Sequence, residues 1–561
     1  MRRPRQGRNR APSHGRAKLA FLLLFLALFV TYVTVAFQVL VRNAPLSPAS
    51  SADQSGRGGR GAPLTAGATL PLTAAATTPV GPDPFPSSVA TSAATAADPA
   101  GAAEYETIPH PATEADGDGA GTRAVPMQVP RFWDPPRFRE AGGVRSHLGR
   151  GGRRPPTAEE AAAVGSLVAS PGAEAPLETI YVAISSYRDW QCSGTVEDVF
   201  RRAAHPERIR VGVVDQYDAG VDGRCAAPQV PCDADPDQVL CRYRDQIDAY
   251  GMDASLGVGP VFARHIGHRM YRGEYFAMQC DAHVKFVRGW DVLLIQQWRA
   301  AGNEMAVLSN YLSDVQGAID EVTGDSLNKS RPIMCRTDYE GQGDQRHLRH
   351  GQQPEGVPGI HGEPTLQPYW AAGFSFSRGH FVVQVPYDQH LPLIFQGEEI
   401  SIGIRGFTYG YDYYAPEHSV CFHMYAFGEN KAKRKKVPSF WEHQNLYKGV
   451  GKKSMKRLLG IIDMANPGVG RDQWLAIEEE KYGTGRVRSV QKFLDTFGVH
   501  HETHTVEGHL CRFAGKSMME EFQPYLREDK MGIDYDKITY QFKDPNPTEK
   551  APPLLGKRGK Q

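Results

Sequence analysis

Gly273-Glu274-Tyr275-Phe276-Ala277-Met278-Gln279-Cys280-Asp281-Ala282-His283 lies near the middle of a chain of 561 residues. It reads as an apolar run, a buried strand, that stops abruptly at an acid, a small residue and a histidine. Side chains alternate along a strand, so residues two apart point the same way. The carboxylate of Asp281 and the imidazole of His283 therefore converge on one point at the strand end. A hard oxygen and a borderline nitrogen suit a divalent cation. Such a triplet also arises by chance, and in isolation a solvated turn is its plainer reading.

The flanking pattern favours the cation. Thr179 to Ile184 is a β-rich run followed by polar Tyr187-Arg188-Asp189. Thr195 to Ala204 suits a helix, with Val196, Val199 and Phe200 on one face. Ile209 to Val214 is a second strand, ending at Asp215-Gln216. This strand–helix–strand order predicts a parallel sheet with ligands at the carboxyl ends of the strands. Helices are expected over 261–271, 291–301, 454–462, 474–481 and 487–497, strands over 306–308, 370–376 and 419–425, and a loop over 339–362. His423 falls in the last of these strands. Polar residues thus gather where strands end, and a shared sheet edge would put them in one cleft. No phosphate-binding P-loop, nucleophile elbow or zincin helix is present.

Composition bounds the partners. Lysines plus arginines number 64 and aspartates plus glutamates 63, so no global field points to nucleic acid. Met1 to Lys18 carries seven basic residues and no acidic one, and an apolar run, Leu19 to Val41, follows. That run is long enough to cross a bilayer, and the positive flank before it predicts a cytosolic N-terminus and a lumenal remainder. From Arg42 to about Pro176 the chain is rich in Ala, Pro, Thr, Ser and Gly without hydrophobic period, the mark of a disordered stem. Arg131-Phe132-Trp133 is an aromatic island in it that either docks on the head or does nothing. All eight cysteines lie beyond the apolar run. Cys225, Cys232 and Cys241 crowd together without CxxC spacing or a neighbouring histidine, which favours disulfides over zinc. Asn328-Lys329-Ser330 is a glycosylation sequon. Lys431 to Lys436 is a basic run that is either a solvated face or a contact for a diphosphate or an acidic acceptor.

An ordered set of motifs resembles a known family. They are Ile184-Ser185-Ser186-Tyr187-Arg188-Asp189, Val211 to Gln216, Gly259 to Arg264, Tyr271 through His283 with Gly289-Trp290-Asp291, Phe395 to Ile400, Arg405 to Asp412, and Tyr482 to Gly485 with Arg488-Ser489. Over about Glu178 to Val499 the chain is similar to the polypeptide N-acetylglucosaminyltransferases of glycosyltransferase family 60, whose members act on the hydroxyproline of Skp1 and on mucin-type Thr/Ser. The family often has Ser where this chain has Ala282, a position expected to point away from the metal. The resemblance implies an α/β, GT-A type nucleotide-diphospho-sugar transferase fold with a Rossmann-like central sheet. It implies a UDP-sugar donor, UDP-GlcNAc, and a divalent metal, manganese with magnesium as the alternative. Asp281, His283 and His423 would hold the metal. Tyr187, Arg188 and Asp189 would meet uracil and ribose, Asp215 would bond uracil or cap its strand, and Arg264 would bind phosphate or hold the acid. Gly373 would line the sugar pocket, and Glu398 and Glu399 would serve the sugar or acceptor hydroxyl, or else cap the helix that follows them.

The expected organisation is a cytosolic basic tail (1–18), a transmembrane signal anchor (19–41), a disordered stem (42–176), the GT-A catalytic domain (177–430), a mostly helical extension (431–545) and a basic tail (546–561). The expected activity is retaining transfer of GlcNAc to a Thr, Ser or hydroxyproline hydroxyl of secretory proteins. It would take place in the Golgi lumen, or the ER, from a single-pass type II membrane protein. A related transferase using UDP-Gal or UDP-GalNAc, and an inactive glycan- or peptide-binding head, are the alternatives.

Overall fold

A computed structural model describes residues 105–114, 126–132, 178–328, 331–352, 362–442, 447–508 and 510–539. The expected anchor and both basic tails lie outside the described residues, and among those described no helix is long and apolar enough to cross a membrane. The first ordered elements are β1 (Tyr105–Pro109) and β2 (Pro126–Pro130), paired antiparallel with Tyr105 opposite Pro130. They fall inside the stretch expected to be disordered stem, which is corrected for these residues. Met127 and Val129 alternate inward along β2 and join a core with Phe262, Ile266 and Met270. The averaged composition of the stretch conceals a short period-two segment that borrows its core from the head.

An eight-stranded sheet carries the rest. β3 (Ile180–Tyr187), α1 (Cys192–Arg201) and β4 (Ile209–Tyr217) form the expected unit, with β3 and β4 parallel and Ile180 opposite Ile209. β5 (Ile247–Asp253) extends the sheet beyond β4. On its other side β3 pairs in parallel with β6 (Phe276–Asp281). Helix α2 (Pro260–Arg269) precedes β6, starts at Pro260 after Gly259 at φ 107°, and packs on β3 and β4. A proline in the first helical turn gives up an amide hydrogen that would have no partner there.

The remaining strands depart from the all-parallel expectation. Beyond β6 the order runs β12 (Phe374–Arg378), β8 (Ala306–Ser309), β13 (Asp412–Ala415) and β11 (Thr365–Gln367). β12 is antiparallel to both β6 and β8, so the sheet is mixed. β13 is parallel to β8 and β11 antiparallel to β13, so β11 and β12 run against the other six strands. The expected loop over 339–362 instead holds part of an antiparallel pair, β9 (Met334–Glu340) and β10 (His347–Gln352). Gly341 and Gly343, both at positive φ, turn the chain between them. The expected helix over 474–481 shrinks to one turn, Glu479–Tyr482. Helices α3 (Trp290–Ala300), α4 (Glu398–Thr408), α5 (Gly428–Arg434), α6 (Val450–Ile461) and α7 (Val490–Phe497) complete the larger elements.

Disulfides join Cys192 to Cys225, Cys232 to Cys241 and Cys335 to Cys511, while Cys280 and Cys421 are free and buried. The crowded cysteines are therefore bridged as expected, with Cys225 tying the loop after β4 to α1. Arg457 of α6 and Asp388 are both fully buried and paired at 2.7 Å, and Arg457 also donates to the Ile477 carbonyl. Losing one partner strands the other charge, so Arg457→Ala should lower unfolding stability by about 3–5 kcal/mol. Urea denaturation followed by circular dichroism reads that loss, and a double replacement of both partners by apolar residues should lose less.

Candidate metal and donor site

Two separate strand pairings build the site. β6 ends at Asp281, whose amide donates to the Gly373 carbonyl at 3.1 Å. The chain then passes Ala282, buried in the core, and His283 before entering β7 (Val284–Phe286). β7 pairs antiparallel with β14 (Cys421–His423), and His423 sits opposite Val284. That pairing brings His423 to His283 across 140 residues of sequence: their Nε2 atoms lie 2.9 Å apart, and His423 Nε2 lies 3.4 Å from Asp281 Oδ2. Ligand atoms of all three residues fall within 4.8 Å of one another.

Asp189, two residues past β3, fixes one imidazole of this cluster. Its Oδ2 accepts from His283 Nδ1 at 2.7 Å, and its Oδ1 accepts from the Gln191 amide. With Nδ1 committed, His283 presents the Nε2 lone pair inward. A carboxylate–histidine pair of this kind orients a metal-bound imidazole. Cis ligands about 2.1 Å from one ion lie roughly 3 Å apart, close to the spacings seen. A Cβ at 373 would stand 3.0 Å from Asp281 Oδ2, so any larger residue there would press on the carboxylate. The residues present fit a divalent cation. Burial opposes ionisation of Asp281, but the His423 hydrogen bond, Arg264 and His283 outweigh it and hold its carboxyl far below the usual range. Burial also opposes charge on His283, yet Asp189 outweighs it and raises its pKa.

Arg264 of α2 joins two acids. Nη2 donates to Asp281 Oδ1 at 2.9 Å and Nη1 pairs with Glu398 Oε1. Of the two contacts expected for Arg264, the one to the acid is present. Glu398 and Glu399, adjacent at the start of α4, have separate surroundings. The side chain of Glu398 is 4% exposed, whereas those of Glu399 and Asp281 are 27% and 25% exposed. Glu399 accepts from the Tyr311 hydroxyl at 2.5 Å and the Ala372 amide at 3.0 Å, beside Gly373. Burial pushes its pKa up to about 7, against those two hydrogen bonds.

Some expected donor contacts are spent inside the protein. Asp215 is buried, and its Oδ2 accepts from Arg224 and the Cys225 amide, which ties the loop after β4. Of its two expected roles, the structural one is the one seen. Arg188, at φ 50°, pairs with Asp222 at 2.6 Å. Tyr187 packs edge-on to Phe440, with ring centres 6.3 Å apart. Sequence reasoning missed Tyr311, and it missed Tyr425, whose ring lies 3.9 Å from that of His423. Arg434, within the basic run singled out from sequence, reaches to 3.6 Å from Asp189.

A family model described as "Glycosyltransferase (GlcNAc)" matches residues 179–236 and 228–503, more than half of the chain. The chain belongs to this glycosyltransferase family. No curated protein matches it. Among solved structures it is similar to GalNAc-T7 crystallised with UDP, GalNAc and Mn2+, at 15% identity and a TM-score of 0.35 over 57% of this chain and 56% of that one. It is also similar to S. aureus TarS 1–349 in complex with UDP-GlcNAc, at 10% identity and a TM-score of 0.28 over 50% of this chain and 71% of that one. The chain thus spans a little over half the length of the GalNAc-T7 chain.

In this glycosyltransferase burial raises the pKa of the site acid Glu399 to about 7. A carboxyl whose folded-state pKa is raised stabilises the fold when protonated, and that contribution is lost as pH rises through the folded value. Between pH 4.5 and about 7, wild type should therefore lose stability relative to Glu399→Gln, with the two curves parallel outside that window. Denaturant titrations of the metal-free protein across that range check the sign.

Proposed function

We propose that the protein moves GlcNAc from UDP-GlcNAc to a Thr, Ser or hydroxyproline hydroxyl of secretory proteins, with retention at the sugar and with a divalent metal, manganese. The observation that carries this reading is the convergence of Asp281, His283 and His423, with Asp189 committing one nitrogen of His283. When bound, the cation would neutralise the donor diphosphate and stabilise the leaving UDP. Asp281, His283 and His423 would hold it, and Arg264 keeps the second oxygen of Asp281 engaged. Glu399, open beside Gly373, is the acid assigned to a sugar or acceptor hydroxyl, while Glu398 serves as the buried partner of Arg264. Tyr187 remains the side chain assigned to the base. The membrane anchor and the lumenal, Golgi location belong to this proposal and rest on the N-terminal sequence pattern.

UDP release from a panel of UDP-sugars, with manganese and Thr/Pro-rich peptides, tests the reading. Turnover should be highest with UDP-GlcNAc. Asp281→Ala should abolish it, and Asp189→Asn should weaken manganese affinity about 10–100-fold. Turnover with UDP-Gal or UDP-GalNAc alone would reassign the donor. No release with any donor, and an Asp281→Ala variant indistinguishable from wild type, would sink the enzymatic reading. Because the imidazoles must be neutral to ligate, and His283 holds its proton above the ordinary histidine value, manganese affinity should fall as pH drops through that range. Isothermal titration at several pH values measures it.

A further inference from the structure

The strand pair at the start of the described chain lies outside the region matched by the family, which begins at residue 179. It nevertheless grips the helix that carries Arg264. Arg269, at the far end of α2, is 2% exposed. Its Nη1 pairs with Glu106 of β1 and donates to the Pro130 carbonyl of β2 at 3.1 Å. Phe132 lies under its guanidinium at 4.5 Å, and Lys481 covers the same ring at 4.4 Å. Elsewhere the Tyr250 hydroxyl donates to the Gln128 carbonyl, and buried His110 bonds the Leu256 carbonyl. Met127 and Val129 of β2 are buried against α2.

Direct contacts run from this grip to the site. Arg269 Nε donates to His265 Nε2 at 2.6 Å, which leaves His265 Nδ1 to donate to the Tyr387 carbonyl at 2.7 Å. The Phe132 ring meets His265 edge-on at 5.2 Å. Tyr387 accepts from Gln279 at its hydroxyl and hydrogen-bonds Glu398, the partner of Arg264. Without residues 105–132, Arg269 would keep His265 and Gln389 but lose its only carboxylate partner among the described residues. A buried cation left in that state must move or draw in water. The helix it moves is the one that positions Asp281 and Glu398.

We propose that β1 and β2, with Phe132 behind them, are a clasp that sets the register of α2, and so the placement of Arg264 and Glu398, making transfer depend on elements outside the matched family region. The catalytic consequence rests on the site reading given above; the mechanical coupling does not. Glu106→Ala, Phe132→Ala and their combination, made in the full chain, test it by hydrogen exchange and by turnover together. Exchange in 260–269 and at the start of α4 should quicken about tenfold, and kcat should fall by a similar factor. The donor KM should stay within about twofold while the unfolding midpoint falls, as stranding buried Arg269 requires, and Glu106→Asp should restore exchange and turnover. Faster exchange confined to 105–132 would overturn the clasp, as would coupled exchange with unchanged turnover. If wild type itself turns over no donor, the site reading fails, and exchange in α2 and α4 alone decides whether the clasp exists.

Discussion

Three residue pairs hold the centre of this molecule together: Cys421 with Phe286, Phe422 with Lys285, and His423 with Val284. The β7–β14 ladder is short, and together with the Met424 amide on the His283 carbonyl and the bridge from Asp314 it brings His423 beside His283. Its register leaves little freedom. Cys421 and Phe422 are fully buried, while His423 is partly open to the site. A slip by one residue would turn a strand's side chains over, putting the imidazole in the core and an apolar side chain in the site. The pairing is thus protected by the cost of exposing Phe422 and burying an unpaired imidazole.

Around that point the charges are arranged so that no acid stands alone. Arg264 is shared by Asp281 and Glu398, and Asp189 is shared by His283, the Gln191 amide and, at longer range, Arg434. Glu399 is the exception, held only by a neutral hydroxyl and an amide apart from His350 at 3.7 Å. Burial lowers the pKa of His350 to about 3, so it is neutral and supplies no charge. Neighbouring positions on one helix turn therefore carry two chemistries. Glu398 is paired with a guanidinium, whereas the pKa of Glu399 is raised by burial to about 7.

What was legible in the sequence follows the range of the interactions. The β3–α1–β4 unit and the Asp281–His283 pair are local patterns of period two and 3.6, and both appear in the structure. The burial of Ala282 follows from the same alternation. Sheet direction was not legible, because β12 is set antiparallel by its long-range pairing with β6 and β8, and nothing inside Phe374–Arg378 encodes those partners. The roles of Asp189 and Asp215 were interchangeable from sequence, since each acid ends a strand. Only their partners separate them: an imidazole in one case, an arginine and a loop amide in the other. The strand pair at 105–130 was hidden for another reason. Its buried residues are few, and they satisfy the cost of ordering only against a core that the head supplies.

His283 and His265 are settled by the same device in opposite senses. A neutral imidazole has one donor and one acceptor nitrogen, so committing either one assigns the other. At His283 a carboxylate takes the Nδ1 proton, and the Nε2 lone pair is turned toward Asp281 and His423. At His265 the guanidinium of Arg269 occupies the Nε2 lone pair, and Nδ1 becomes the donor to Tyr387. The first arrangement makes a ligand and the second makes a strut. Both depend on a charged group brought from a distant part of the chain, Asp189 in one case and an arginine neutralised by Glu106 in the other. The site is therefore specified by which charges the fold can bury in pairs, and the local D-x-H pattern supplies only the atoms on which those pairs act.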